Sequence, residues 1–349
     1  VYKRQPECGP DDIILEIKAA AICGADMKHW GVDNGYDDTN ITPDQQQSVR
    51  GHEFAGEIVK VGENVKDWHI GQRVVSDNSA HVCGVCPACE QGDFLCCEHK
   101  VNLGLDNNTW GGGFSKYCKV PGEILAIHKH AIWEIPEGIK YEEACVLDPI
   151  CNAYKAVAQQ SHLIPGQDVV VFGTGPLGLF SVQVAKLMGA VNIVMVGLDD
   201  DVKVRFGVAK ELGATHCVNG SKEDVVARCT EICGRDNLGL VIECSGANIA
   251  LKQAIEMTRP NAEIVRVGMG FKPLEFSIND ITAWNKSIIG HMAYDSTSWR
   301  NCIRLLQSGQ IKVQPMITHR LGLSQWQEGF DKMAKKEAIK VIFHYDYED

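Results

Sequence analysis

The amino-acid sequence predicts an α/β protein of two domains, one of them a doubly wound parallel sheet that binds a dinucleotide. Three observations carry this. The strand-like run "DVVVF" leads through Gly173-x-Gly175-x-x-Gly178 into an amphipathic stretch, the order strand, glycine turn, helix that gives this motif its meaning. Further strand-like runs follow, "NIVMVGL", "THCVN", "LGLVIECSG" and "EIVRVGM", each separated by helical sequence, which predicts parallel strands with crossover helices. Finally, 349 residues is length enough for about two domains with cores of their own.

Composition excludes several classes. A formal net charge of −11, with no basic run, argues against nucleic acid and against anionic membrane surfaces as partners. No apolar stretch approaches the roughly 20 residues that cross a bilayer. The opening "VYKRQPECGP" has no apolar segment and reads as a trimmed end rather than a signal peptide. Fifteen cysteines are many, but most (Cys145, Cys217, Cys229, Cys244, Cys302) stand singly in apolar surroundings, where a thiol behaves as a small hydrophobe. A long, core-rich chain is not a disulfide scaffold, so the expected compartment is reducing, the cytoplasm.

Four thiols are different. Cys83, Cys86, Cys89 and Cys97 follow C-x2-C-x2-C-x7-C, with Gly84 and Pro87 between them to allow tight turning. Four thiolates suit the tetrahedral preference of zinc and leave no position for substrate, so the reading is a structural zinc; a disulfide loop or an iron–sulfur site are the alternatives. Cys96, beside Cys97, is read as a bystander. Upstream, Cys23 ends an apolar strand-like run, and His52 and Glu53 enter the alternating strand "FAGEIVKVG". A thiolate and an imidazole are a start for catalytic zinc, which takes three protein ligands and keeps one place open. Asp148, a carboxylate in the apolar "EEACVLDPICNAYKAV", is the candidate for the third, since burial without a partner would cost it dearly.

In the cofactor half, Gly173 makes the tight turn, Gly175 lets backbone reach the pyrophosphate, and Gly178 allows close helix–strand packing. Pro176 and Leu177 open the helix whose free N–H groups face the phosphates. The end of the second strand has Gly197 where an acidic residue is expected, followed by Asp199, Asp200 and Asp201. These carboxylates would repel a 2′-phosphate and favour NAD; Arg205 is placed to meet such a phosphate, so NADP stays open. Ser245 of "ECSG" and Gly268 of "RVGM", at later strand ends, complete the expected cofactor contacts.

Together these segments resemble the zinc-containing medium-chain dehydrogenases, closest to the polyol (sorbitol-type) and threonine 3-dehydrogenase branch. The likeness runs over the whole chain in order: "ICGAD", "GHEFAGEIVKVGENV", "GQRV", the four-cysteine loop, "DPICNA", "VFGTGPLG", "AKELGA", "ECSG" and "QPMITHRLGL". The resemblance implies a mainly-β, GroES-like catalytic domain over 1–148 and 290–349 around a Rossmann domain over 149–289. It implies two zinc ions per chain, one catalytic on Cys23, His52 and Asp148 with Glu53 ligating or supporting, and one structural. It implies Asn152 as a nicotinamide contact, and His291 and Tyr294 near the substrate. The activity implied is oxidation of a secondary alcohol of a polyol, sugar alcohol or cyclitol by NAD, with L-threonine as the second substrate choice and a homodimer or homotetramer as the assembly. A catalytically silent NAD- and zinc-binding protein is the reading of another class. One departure stands out: where most of the family has Ser or Thr to begin a proton relay, this chain has Ala25. Lys28, His29 and Glu53 are the alternatives, and no relay residue is assigned.

Overall fold

The computed structural model describes residues 5–30, 49–106, 110–270 and 272–346. The first strand, β1 (Ile13–Ala21), is buried over most of its length because it is paired on both sides. Its neighbours are β2 (Glu53–Val61), β6 (Tyr117–Val120) and β15 (Lys340–His344), all antiparallel to it. Beyond them, β3 (Arg73–Ser76), β7 (Ile132–Glu134) and β14 (Ile317–Gly322) complete a seven-stranded sheet, while β4 (Ser79–His81) and β5 (Val101–Asn102) form a small ladder of their own. Ile13, Leu15, Phe54, Ile58, Val74, Leu103 and Ile132 fill the core of this unit, and Cys89 and Cys97 pack into its edge.

The second unit is built on six parallel strands: β8 (Val169–Phe172), β9 (Ile193–Gly197), β10 (His216–Asn219), β11 (Leu240–Glu243), β12 (Glu263–Arg266) and β13 (Ser287–Gly290). Their order, β10-β9-β8-β11-β12-β13, is the doubly wound arrangement predicted above, with the order reversing beside β8. The central strands β8, β9 and β11 are buried at every residue, which is why they read as unbroken apolar runs rather than alternating ones. The two compact units comprise residues 1–148, 294–307 and 317–349, and residues 149–293 and 308–316, respectively. The fold is therefore α/β, with a mainly-β unit and a Rossmann unit. Among the described residues, no helix is long and apolar enough to cross a membrane.

Candidate metal centre and cofactor site

Strand register assembles the first site. Ala21 pairs with Glu53 across the β1–β2 ladder, and with Ile342 across β1–β15. Cys23, His52, Glu53 and Lys340 therefore leave their strands at one corner of the sheet, although about 320 residues separate the first from the last in the chain. Ligand atoms of Cys23, His52 and Glu53 lie within 4.8 Å of one another, with His52 and Glu53 buried. The Glu53 Oε2 is paired with the buried Lys340 ammonium, which also donates to the Ile22 carbonyl at 3.0 Å. Asp26 accepts from the Cys23 backbone N–H at 2.8 Å and sets its other oxygen 3.7 Å from His52 Nδ1.

Three buried atoms in this corner, Glu53 Oε1, His52 Nδ1 and Asp26 Oδ1, have no hydrogen-bond partner. Each such vacancy costs about 1–3 kcal/mol in a protein interior. The electrostatics say the same: burial pushes Glu53 up to about 7, with Lys340 only partly opposing it. Burial likewise raises the Cys23 thiol. Burial disfavours a charged His52, yet Cys23 and Asp26 outweigh it and hold its pKa well above the ordinary value. A corner with too much negative charge, offering sulfur, nitrogen and oxygen donors, fits a divalent zinc ion with one place left open. Asp148 is not part of this set. None of its oxygens joins the 4.8 Å group; its Oδ2 accepts from the Tyr294 hydroxyl at 2.7 Å and from Asn78 Nδ2 at 3.1 Å. Of the relay alternatives, the side chain of His29 lies outside the described residues.

The four-cysteine loop also converges. Cys83, Cys86, Cys89 and Cys97 form one group, and the Cys83 sulfur is 4.0 Å from that of Cys89 and 3.6 Å from that of Cys97. A tetrahedron with zinc–sulfur bonds of roughly 2.3 Å has edges of about 3.8 Å, whereas a disulfide needs about 2.05 Å. Backbone N–H groups of Cys83 and His99 donate to the Cys97 sulfur, at 3.3 and 3.4 Å, as suits a thiolate. Cys96 stays outside the group. The donor set fits zinc, and all fifteen cysteines are free of disulfides.

In the Rossmann unit Gly173 has φ +95, and a Cβ on it would stand 2.9 Å from the Ser245 nitrogen. A Cβ on Gly178 would lie 1.8 Å from the Gly173 carbonyl oxygen, while one on Gly175 meets nothing within 4 Å. Gly175 caps the helix Pro176–Leu187, Pro176 taking its first position and Leu177 its second. Ser245 donates to the buried Glu243 carboxylate through both its N–H (2.7 Å) and its hydroxyl (2.5 Å), and Gly268 packs against Gly246. The acidic cluster divides its work. Asp199 is exposed and bonded to Asn219 and Lys222, whereas Asp201 turns inward to the Leu198 N–H and to Arg205 at 3.3 Å. Gly197 is required there, since a Cβ would meet Thr174 at 2.6 Å and Phe206 at 2.7 Å. Asn152 is tethered through its side-chain oxygen to His291 Nε2 (3.2 Å), whose Nδ1 meets Gln160 (2.6 Å).

With this geometry in place, known proteins can be compared. Residues 9–130 match the alcohol dehydrogenase GroES-like domain, and residues 176–308 match the zinc-binding dehydrogenase domain. The chain is 78% identical over 345 residues to an uncharacterized zinc-type alcohol dehydrogenase-like protein, YdjL, of Escherichia coli K12, covering 99% of this chain and 94% of that one. It is 30% identical to a sorbitol dehydrogenase of Halalkalibacterium halodurans, over 97% of this chain and 93% of the relative. The chain belongs to the zinc-type alcohol dehydrogenase family. Among solved structures, the 2R,3R-butanediol dehydrogenase of Bacillus subtilis superposes with a TM-score of 0.84 at 30% identity, covering 99% of this chain and 96% of that one.

As a zinc-type alcohol dehydrogenase, the protein is an oxidoreductase that uses zinc and a nicotinamide dinucleotide on small alcohols. Three polar residues of its first unit escaped the sequence reading. Lys340 had a signal, a lysine between Ile339 and Val341 in an apolar strand, where a buried cation implies a buried anion. Asp26, three residues after Cys23, resembles an ordinary helix-start acid. Asn78 has none beyond its place in "SDNS", and only its φ of +60 and buried amide mark it.

Proposed function

We propose that this enzyme oxidises a secondary hydroxyl of a polyol, sugar alcohol or cyclitol to the ketone, with hydride transfer to NAD. The observation that carries the reading is the buried Cys23–His52–Glu53 trio with its unpartnered donor atoms. Cys23, His52 and Glu53 would hold the catalytic zinc, and Cys83, Cys86, Cys89 and Cys97 the structural one. Zinc, when bound, supplies Lewis-acid chemistry that acidifies a hydroxyl. Lys340 fixes one oxygen of Glu53 and leaves the other to ligate. The Gly173–Gly178 turn and the helix it starts would cradle the pyrophosphate. Asn152, held by His291, would orient the nicotinamide.

The substrate class rests on the relatives, a sorbitol dehydrogenase and a butanediol dehydrogenase, whose names point to vicinal hydroxyls. NAD is favoured because Asp199 and Asp200 crowd the ribose end and because Arg205 is engaged by Asp201. A homo-oligomer is the assembly we propose, supported by β13, an edge strand with exposed Ile288 and with Trp284 and Met292 exposed beside it, an apolar edge that a second copy would cover. We place the enzyme in the cytoplasm, a reading that the cysteine usage of the sequence supports. The test is a panel of polyols, cyclitols, diols and L-threonine with NAD⁺ and NADP⁺, run beside the His52→Ala variant. The expected result is NAD-linked oxidation of a polyol by the wild type, and loss of turnover with retained NADH binding in the variant. Undiminished turnover by His52→Ala, or a preference for L-threonine, overturns the reading.

A further inference from the structure

The turn after β11 lies directly against the glycine turn after β8. A Cβ on Gly173 would stand 2.9 Å from the Ser245 nitrogen and 3.1 Å from the Cys244 carbonyl carbon, so the two turns meet backbone to backbone. Strand order reverses at this place, where sheets of this kind bind ligands. On its other side the same turn is boxed in by the residues that follow β12. A Cβ on Gly268 would lie 2.1 Å from the Gly246 nitrogen, and one on Gly270 would lie 2.2 Å from the Gly246 carbonyl oxygen. Gly246 itself has φ +73, a left-handed conformation that suits glycine.

Two charged side chains at adjacent strand ends hold this turn. Glu243, the last residue of β11, pairs in register with Arg266, the last residue of β12. The Glu243 side chain is fully buried, and its Oε1 accepts from the Ser245 N–H at 2.7 Å, the Ser245 hydroxyl at 2.5 Å and the Gly246 N–H at 2.9 Å. Arg266 Nη2 donates to the Gly246 carbonyl at 3.2 Å. The carboxylate thus takes the N–H of Gly246 and the guanidinium its C=O. Glu243 Oε2 and Arg266 Nη1 have no hydrogen-bond partner and lie 3.6 Å apart, an ion pair without a hydrogen bond. Burial pushes the Glu243 carboxyl above its ordinary value, with the Ser245 donors and Arg266 opposing. The Ser245 hydroxyl is engaged within the turn, donating to Glu243 and accepting from the Ala247 N–H at 3.1 Å.

We propose that Glu243 and Arg266 are positioning residues for the cofactor: they brace the Ser245–Gly246 turn, and through its backbone contact with Gly173 they fix the glycine turn that receives the pyrophosphate. The proposal rests on the functional reading above, which seats the pyrophosphate on that glycine turn. Hydrogen bonds to charged groups are stronger than neutral ones, and the low dielectric of the interior strengthens them further. One pair at the strand ends therefore holds a turn whose glycine offers no side chain to pack. A turn released from the brace would carry Gly173 with it, since no gap separates the two backbones.

Arg266→Leu, Glu243→Gln and the two combined test this on the full chain. Either single change is expected to weaken NADH binding about tenfold, read by fluorescence titration well below the unfolding temperature, and to raise KM for NAD⁺ by more than it lowers kcat. The double variant is expected to bind no more weakly than the weaker single, because both residues act on one turn. In the ligand-free protein, amide exchange is expected to quicken over 173–178 and 244–247 and to stay native in the four-cysteine loop. Leu251→Ala, a core truncation in the same unit, controls for lost stability alone and is expected to lower Tm with NADH affinity native. Native NADH affinity in both single variants, additive losses in the double, an equal loss in Leu251→Ala, or native exchange over 173–178 overturns the brace. The exchange readout needs no cofactor, so a wild type that binds neither NADH nor NADPH refutes the functional reading and not the brace.

Discussion

Two glycines of the same turn should fail in opposite ways. An alanine Cβ at Gly178 would sit 1.8 Å from the Gly173 carbonyl oxygen and 3.0 Å from its carbon, both backbone atoms. Contact distances for carbon and oxygen are well above 3 Å, so the helix start must move by more than 1 Å or the turn must open. Overpacking of this kind costs about 1–3 kcal/mol. At roughly 2–4 °C per kcal/mol for a unit of this size, Gly178→Ala should lower Tm by about 2–12 °C. Gly175→Ala is the control. Its φ of −73 suits alanine and its Cβ meets no protein atom within 4 Å. The weaker cap is offset by the smaller entropy of the unfolded chain, each worth about 0.5–1 kcal/mol. Its Tm should therefore stay put while NADH affinity, followed by fluorescence titration, falls at least about tenfold, because the methyl fills the space of the pyrophosphate. Native NADH affinity in Gly175→Ala would refute the placement of the cofactor, and a native Tm in Gly178→Ala would refute the packing argument.

Three further outcomes are expected. Cys89→Ser should lose one zinc equivalent per chain by elemental analysis and unfold at lower temperature; two equivalents retained would break the four-thiolate assignment. Lys340→Met strands the buried Glu53 charge and should cost about 3–5 kcal/mol, read by denaturant unfolding, whereas the Lys340→Met/Glu53→Gln double variant should recover much of it. Asp12 governs part of the acid limb. Burial raises its pKa, but the N–H groups of Gly122 and Gly9 and the Lys119 ammonium outweigh burial and hold it below the ordinary carboxylate value. A depressed folded pKa means stability that is present above about pH 4 and is lost as pH falls through the lower folded value. Asp12→Asn should thus be less stable at neutral pH and show a shallower loss toward acid; a parallel pH curve would contradict this.

The Rossmann unit was legible because its signals are local. Strands buried on both faces read as unbroken apolar runs, and the glycine spacing of 173, 175 and 178 encodes steric demands met within six residues of chain. The four-cysteine loop was legible for the same reason, all its donors lying within fifteen residues. From the residues themselves, Cys23, His52 and Glu53 stood out only as suitable chemistry, and it was the family resemblance that implied one shared zinc. What joins them is the β1–β2 register, a property of two strands separated by 31 residues of sequence. Asp148 shows the limit most clearly. Its residue type and apolar context mark a buried carboxylate needing a partner, but they do not say whether that partner is a metal or the amide and phenol of Asn78 and Tyr294, the latter 146 residues away.

The two proposed metal centres therefore differ in kind. The cysteine loop has little regular structure beyond short helical turns at Pro87–Glu90 and Phe94–Cys96, so its shape depends on what its sulfurs bind. The Cys23 corner is built on three paired strands, and Lys340 answers part of its negative charge. A corner set by strand pairing, with unpartnered donors, is the arrangement expected where an open coordination position serves chemistry rather than folding. That asymmetry is a stronger reason for assigning catalysis to Cys23, His52 and Glu53 than their residue types alone, since the cysteine loop offers equally good ligands and no open place for an alcohol.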